Sequence, residues 1–356
     1  MTAEPVPTPR PIRLKDRSIG PGHPPFIIAE MSGNHNGDLG RALALIEAAK
    51  EAGADAVKLQ TYTADTITID HDGPGFVIDK GLWRGRRLYE LYQEAHTPWE
   101  WHDRLFEHAR EIGIIAFSTP FDASAVALLE RLETPAYKIA SFELIDLPLI
   151  ELAAGTGKPL VMSTGLASSD EIGEAVAAAR KAGGQDIMLL HCVSGYPTPP
   201  REMNLATMAE LGRAHQVLFG LSDHTLSTAV SVAAVALGAS VIEKHFTLRR
   251  ADGGPDAEFS LEADELARLV ADCRTAWEAI GTIRYDEVPS EQAARDHRRS
   301  IYVVTDIAQG ETLSAGNIRS IRPGLGLPPK HLPELLGKKA ARSLKRGTPL
   351  EWDMVQ

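Results

Sequence analysis

Eight short apolar runs in this chain each end on polar residues, and helix-like stretches separate them. The runs are Phe26-Ile-Ile-Ala-Glu30, Ala56-Val-Lys-Leu-Gln60, Ile114-Ile-Ala-Phe-Ser118, Ala136-Tyr-Lys-Ile-Ala-Ser141, Leu160-Val-Met-Ser163, Ile187-Met-Leu-Leu-His191, Val217-Leu-Phe-Gly-Leu-Ser222 and Val241-Ile-Glu-Lys-His245. Near-continuous apolar runs alternating with helical patterns predict parallel strands with helical crossovers, and eight of them fit an α/β fold of the TIM (β/α)8 barrel type. In that fold the carboxyl ends of all strands converge on one face. The polar run ends are then the predicted site.

A barrel takes roughly 250 residues, and this chain has 356. The remainder predicts four parts: a Pro-rich flexible arm over 1–25, the barrel over 26–281, a polar linker over 282–298 and a small C-terminal module over 299–356. By size, that module is expected to need a partner surface for stability. Helix starts are marked by capping boxes at Thr97-Pro-Trp-Glu100 and Ser168-Ser-Asp-Glu171, and residues 262–280 read as the last long helix. Residues 63–96 form a long insert after the second run, at the face where loops shape selectivity. A net charge of −11 argues against a nucleic-acid partner or an anionic membrane. No apolar run is long enough to span a bilayer. Two cysteines, Cys192 and Cys273, offer no disulfide framework, which suits a cytoplasmic protein.

The run ends carry the chemistry. His224 follows the seventh run and His245 ends the eighth, so two imidazoles at neighbouring strand ends can reach one divalent ion, with Glu243 on the same pleat face as His245. Two hydrogen-bonded histidines in a polar rim is the alternative. Lys58 and Lys138 sit inside apolar runs, where a lysine is costly to bury without an anion. With Ser141, Ser163 and Ser222 they form a candidate cradle for phosphate and carboxylate. A Schiff-base lysine, or structural ion pairs to Glu30 or Glu243, are the rival readings. Glu30 suits acid/base work or positioning a water. Tyr196 and Asp256 lie in loops and suit hydrogen bonds to a polyhydroxylated substrate. Cys192 reads as inert packing.

In order along the chain, several blocks resemble the sialic acid synthase family. They include Ile28-Ala-Glu30 with Gly33-Asn-His-Asn-Gly37, Gly53-Ala-Asp-Ala-Val-Lys-Leu-Gln-Thr61, Ser118-Thr-Pro-Phe121, Ala136-Tyr-Lys-Ile-Ala-Ser141, Gly220-Leu-Ser-Asp-His-Thr225 and Glu243-Lys-His-Phe246. The tail from Arg299-Ser-Ile-Tyr302 through Arg322-Pro-Gly324 resembles the family's antifreeze-like (SAF, β-clip type) domain. Within the family, Ser141-Phe-Glu143 and the insert with Trp83 are most similar to the pseudaminic acid synthase branch.

The resemblance implies a condensation of phosphoenolpyruvate with an amino-sugar aldehyde, here 2,4-diacetamido-2,4,6-trideoxy-L-altrose; a legionaminate or N-acetylneuraminate precursor is the alternative sugar. It implies that Lys58, Thr119, Lys138, Ser141, Ser163 and Ser222 hold phosphoenolpyruvate. Ser194 stands where many neuraminate-type members carry Asn, and its hydroxyl can still donate. It further implies that Glu30, Gln60, Tyr196 and Asp256 contact the sugar, that Glu30, Lys58, Lys138 and Glu243 serve catalysis, and that His224 and His245 carry Mn²⁺, Mg²⁺ or Co²⁺. Arg322 would reach the sugar from a partner subunit in a domain-exchanged homodimer.

Overall fold

The eight runs become eight parallel strands that close on one another in a computed structural model, which describes residues 9–356. They are β3 (Phe26–Glu30), β4 (Ala56–Thr61), β5 (Ile115–Pro120), β6 (Tyr137–Ile139), β7 (Leu160–Ser163), β8 (Ile187–Cys192), β9 (Leu218–Asp223) and β10 (Val241–His245). Each pairs with its sequence neighbour, and β10 returns to β3 to complete the ring. The pleat sorts the side chains by parity. Ile27, Ala29, Val57, Leu59, Leu189 and Ile242 pack outward in one cluster that includes helix residues such as Leu45, Leu105 and Leu269. Phe26, Ile28, Ala56, Phe117, Val161, Met188, Leu190 and Val241 pack inward in a separate cluster. Further along the same strands, the inward positions become Glu30, Lys58, Thr119, Lys138, Ser163, Ser222 and Glu243. Gly220 is required where β9 meets β10, because a Cβ there would lie 2.2 Å from the Val241 carbonyl oxygen.

The flexible arm expected over 1–25 needs correction. Residues 1–8 lie outside the described residues, but β1 (Ile12–Leu14) and β2 (Arg17–Ile19) form an antiparallel hairpin. Ile12, Leu14 and Ile19 are buried in the inner cluster with Phe26, Phe117 and Leu218. Each such side chain contributes about 1.5–3 kcal/mol of burial. The hairpin therefore stoppers the amino-terminal end of the bore. Three apolar positions in a proline-rich stretch are too few to announce themselves as strands.

Helices fill the outer layer: α1 (Leu39–Glu51), α2 (Ala64–Ile67), α3 (Leu88–Ala95), α4 (His102–Ile112), α5 (Ala123–Arg131), α6 (Leu147–Gly155), α7 (Ser169–Lys181), α8 (Ala206–His215), α9 (Thr228–Ala236) and α10 (Ala263–Ile280). Ser168 caps α7 with Glu171 in the expected reciprocal box. The box expected at Thr97 does not form. Pro98 instead leads into a 3₁₀ turn, Trp99–Trp101, and α4 begins only at His102. Pro98 itself is extended (φ −52°, ψ 133°), so the helix cannot start there, and the Trp99 indole fixes the turn by donating to the Tyr62 carbonyl at 3.1 Å.

Residues 282–356 form a second compact unit. Its antiparallel pair, β11 (Ser300–Val303) and β12 (Ile318–Ile321), and the short helix α11 (Leu332–Leu335) enclose a core of its own that includes Ile301, Ile307, Leu313, Leu344 and Leu350. The stretch expected to be an irregular linker contains a polar 3₁₀ run, Pro289–His297, with no buried residue.

Candidate active site

Register puts the charged residues together. Glu30 stands opposite Lys58 on one side and His245 on the other, and Glu243 stands opposite Ser222. The Lys58 ammonium lies 2.7 Å from Glu30 Oε2 and 3.9 Å from Glu243 Oε1, and donates to Thr119 Oγ1 at 3.0 Å. The Lys138 ammonium donates to Ser163 Oγ at 2.7 Å and lies 3.6 Å from Glu243 Oε1, which also accepts from the Ser222 hydroxyl at 3.3 Å. Gln60 donates to Glu30 Oε1 at 3.1 Å. Eight of the predicted residues thus form one connected cluster. All but Gln60 are buried.

Burial and charge divide the protons unevenly. Burial pushes the Glu30 carboxyl up to about 7 against the pull of Lys58. Burial also acts to raise Glu243, but the ammoniums of Lys138 and Lys58 outweigh it and hold that group below its ordinary value. Lys58 is raised because Glu243 and Glu30 overcome its desolvation, whereas burial keeps Lys138 low. Near neutral pH the cluster therefore has one firm carboxylate, Glu243, one firm ammonium, Lys58, and in Glu30 a carboxyl able to exchange a proton, while burial weakens the hold of Lys138 on its own. Oε2 of Glu243 is buried with no partner.

Two more predicted hydroxyls converge at Gly165. Its amide donates to Ser141 Oγ at 3.1 Å, and a Cβ there would lie 2.4 Å from Ser194 Oγ and 2.8 Å from Ser141 Oγ. The bare α-carbon is what lets both hydroxyls approach.

The two imidazoles face each other with ring centroids 5.3 Å apart. His224 Nδ1 lies 3.0 Å from the Val193 carbonyl, a donor contact that leaves Nε2 to face an ion. Burial acts to lower this ring, but Cys192 and that carbonyl outweigh it and raise the ring above its ordinary value, so a metal would have to displace the Nε2 proton. His245 Nδ1 is buried without a partner, and burial together with the neighbouring cations holds the ring neutral. These donors fit a divalent ion. Among the described residues no cluster of three or more His, Cys, Asp or Glu ligands exists, so water or substrate oxygens would complete the shell.

Aromatic rings cover this pair. Tyr196 lies 4.4 Å from the His224 ring, and Phe259 lies 4.9 Å from His245. Trp83 of the insert lies 5.7 Å from Tyr196 and donates to the Pro255 carbonyl at 2.8 Å. Phe259 escaped sequence reasoning, since nothing about a lone phenylalanine in a loop announces such a place. Cys192, read as inert, has its sulfur 3.8 Å from His224 Nδ1; burial raises the thiol, but the imidazole outweighs it and brings it to about 7. Glu143 is a second carboxyl pushed up to about 7 by burial, with a buried unpartnered oxygen. Asp256 is buried and accepts from the Gly33 amide at 3.2 Å, a tie between two loops. Arg322 is exposed on the second unit, where it lines a groove of about 580 Å³ with Arg299, Arg319, Ser320 and Ile321.

Residues 45–285 match the NeuB family and residues 298–356 match the SAF domain. The chain belongs to the NeuB family. It is 45% identical to the pseudaminic acid synthase of Helicobacter pylori over 94% of this chain and 98% of that one. It is also 45% identical to the pseudaminic acid synthase of Campylobacter jejuni, over 92% and 95% of the two chains. The crystal structure of an N-acetylneuraminic acid synthetase from Leptospira borgpetersenii, in complex with citrate, superposes with a TM-score of 0.72 at 33% identity, covering 80% of this chain and 95% of that one. NeuB enzymes generally depend on a metal, which agrees with the donor set of His224 and His245. No helix among the described residues is long and apolar enough to cross a membrane.

Proposed function

We propose that this chain condenses phosphoenolpyruvate with 2,4-diacetamido-2,4,6-trideoxy-L-altrose to give pseudaminic acid and phosphate. The observation that carries the reaction type is the buried cluster of Lys58, Lys138, Glu30 and Glu243 beside the neighbouring imidazoles of His224 and His245 at one end of the bore. The choice of sugar rests on the two relatives named as pseudaminic acid synthases.

Phosphoenolpyruvate binds through Lys58, Lys138, Thr119, Ser141, Ser163, Ser194 and Ser222, which supply cationic and hydroxyl donors for its phosphate and carboxylate. C3 of the enol phosphate attacks the aldehyde carbon of the sugar, whose hydroxyl and acetamido groups are held by Glu30, Gln60, Tyr196 and Asp256. A divalent ion held by His224 and His245 (Mn²⁺, Mg²⁺ or Co²⁺) would supply Lewis-acid polarisation of the aldehyde oxygen. As positive charge develops at C2, the Glu243 carboxylate stabilises it. Glu30, with its carboxyl near 7, takes the proton from the water that adds at C2. The proton on Glu30 passes to the alkoxide formed from the aldehyde. The C2–O bond to phosphate breaks as the new C2 hydroxyl gives its proton to the leaving group, and Lys58 and Lys138 stabilise the departing phosphate. Arg322 of a second copy reaches the acetamido group in a domain-exchanged homodimer. The expected setting is the cytoplasm.

Phosphate release measured against a panel of aldehydes tests this reading, and a strong preference for N-acetylmannosamine overturns the choice of sugar. Arg322→Ala should raise KM for the sugar far more than for phosphoenolpyruvate. Equal rises in both would remove that arginine from the sugar subsite. The lowered Lys138 favours one rival, a Schiff-base aldolase. Borohydride trapping with pyruvate decides against the synthase if it labels Lys138.

A further inference from the structure

Behind the two histidines, on the opposite face of the sheet, lies a buried ion pair. Asp223 and Lys244 each precede a histidine by one residue, so the pleat turns them away from the bore toward the helices. They are register partners across β9 and β10. Asp223 Oδ2 lies 3.0 Å from the Lys244 ammonium, and both side chains are 0% exposed. Residues one step earlier on the same face, Leu221 and Ile242, are apolar.

The pair is wired to the backbone that presents His224. Asp223 Oδ1 accepts from the Thr225 amide at 2.8 Å, and Lys244 donates to the Thr225 carbonyl. Asp223 Oδ2 also accepts from the Ser231 hydroxyl of α9 at 2.7 Å. The residues on both sides of His224 are therefore tied to Lys244, the residue preceding His245. The His224 carbonyl accepts from the Thr198 amide at 3.0 Å, and the His245 carbonyl accepts from the Leu261 amide at 2.9 Å.

Full burial of both charges contributes little stability, since a well-packed apolar pair serves as well or better. What such a pair supplies is fixed geometry, because it is satisfied only at one strand spacing and one turn conformation. Backbone conformation at strand ends decides where an imidazole points, and partners outside the ligand set hold that aim.

We propose that Asp223 and Lys244 are positioning residues that set the separation and aim of His224 and His245 toward a shared divalent ion. The proposal rests on the reading of those histidines as metal ligands.

Mn²⁺ binding to the full chain, followed by the EPR signal of the free ion with phosphoenolpyruvate present, tests it. Asp223→Asn combined with Lys244→Met replaces the pair by uncharged side chains of similar length and strands no buried charge. Mn²⁺ affinity is expected to fall about 10–100-fold, with phosphoenolpyruvate affinity without metal changed less than about threefold. Unchanged Mn²⁺ affinity overturns the proposal. So does a parallel loss of phosphoenolpyruvate affinity, which would mark general loosening of the site. If the double variant does not fold, Ser231→Ala removes one hydrogen bond from Asp223 and should weaken Mn²⁺ about 3–10-fold; no change there overturns the proposal equally. His245→Ala separates the two levels. If it leaves Mn²⁺ affinity intact, the histidines are not ligands and the metal reading falls with this one. If it abolishes binding while the pair variants are silent, only the positioning role falls.

Discussion

The same eight strands build both ends of the barrel bore, and the two ends have opposite chemistry. At the amino-terminal end the inward positions are Phe26, Ile28, Ala56, Phe117, Val161 and Met188, stoppered by Ile12, Leu14 and Ile19 of the hairpin. At the carboxyl end the same parity gives Glu30, Lys58, Thr119, Lys138, Ser163 and Glu243, all buried. A step of two residues along a strand exchanges Ile28 for Glu30 and Ala56 for Lys58. One end therefore stores stability, and the other holds charges whose burial works against it. Substitutions should separate the two.

The largest effect is expected at Lys138. Replacement by Met removes a cation that the proposed reaction sets against the phosphate and should lower phosphate release by about 10³-fold or more, some 4 kcal/mol of barrier. Burial already disfavours the charged form of this lysine, so Lys138→Met should leave the thermal midpoint within a few degrees of the parent. A collapse in stability instead would show that the open end is structural after all. Leu14→Ala is the mirror image. It opens a cavity at the closed end and should cost about 2–5 kcal/mol in urea unfolding, with kcat unchanged wherever the variant is folded. Loss of kcat in the folded variant would couple the two ends.

Acid–base linkage gives the next contrast. Burial lifts the Glu30 carboxyl from 4.5 to about 7, so between those values the folded state binds more protons than the unfolded one, and stability must fall as pH rises. Glu30→Gln abolishes that titration. The parent should therefore lose up to about 3 kcal/mol relative to E30Q between pH 4.5 and 7, at 1.36 kcal/mol per unit. His35 and His102, both lowered to about 4 by burial, act in the opposite sense and destabilise as pH falls below 6.5. They are present in both proteins and cancel in the comparison. A flat difference between parent and E30Q would mean that Glu30 is ionised throughout.

The open end was legible in the sequence because a lysine inside an apolar strand demands a buried anion, from the chain or from a ligand: Lys58 and Lys138 stand out against Val57, Leu59, Tyr137 and Ile139. The strands were legible because β-structure buried on both faces is apolar at nearly every position. The closed end was not, since Ile12, Leu14 and Ile19 gain their meaning only from contact with residues far along the chain. Phe259 beside His245, and Cys192 beside His224, were hidden for the same reason. Asp256 was legible as a loop polar group, but its tie to Gly33 depends on how two distant loops meet. Thr97 misled because its pattern satisfies a capping box, while Pro98 stays extended and the helix begins only at His102, beyond the reach of its hydroxyl.

The smallest effect tests whether function belongs to the open end as such or only to its bore. Ser168 lies a few residues beyond Ser163, on the same end of the barrel, yet its side chain turns to the start of α7. There its hydroxyl accepts from the Glu171 amide, and the Glu171 carboxylate accepts from the Ser168 amide at 2.7 Å. Removing that cap by Ser168→Ala should cost about 1 kcal/mol. Phosphate release and both KM values should not change, because the lost bond fixes a helix start and not a strand end. If activity falls instead, the α7 start is coupled to Ser163 and Gly165, and the division between the bore and its rim has to be redrawn at β7.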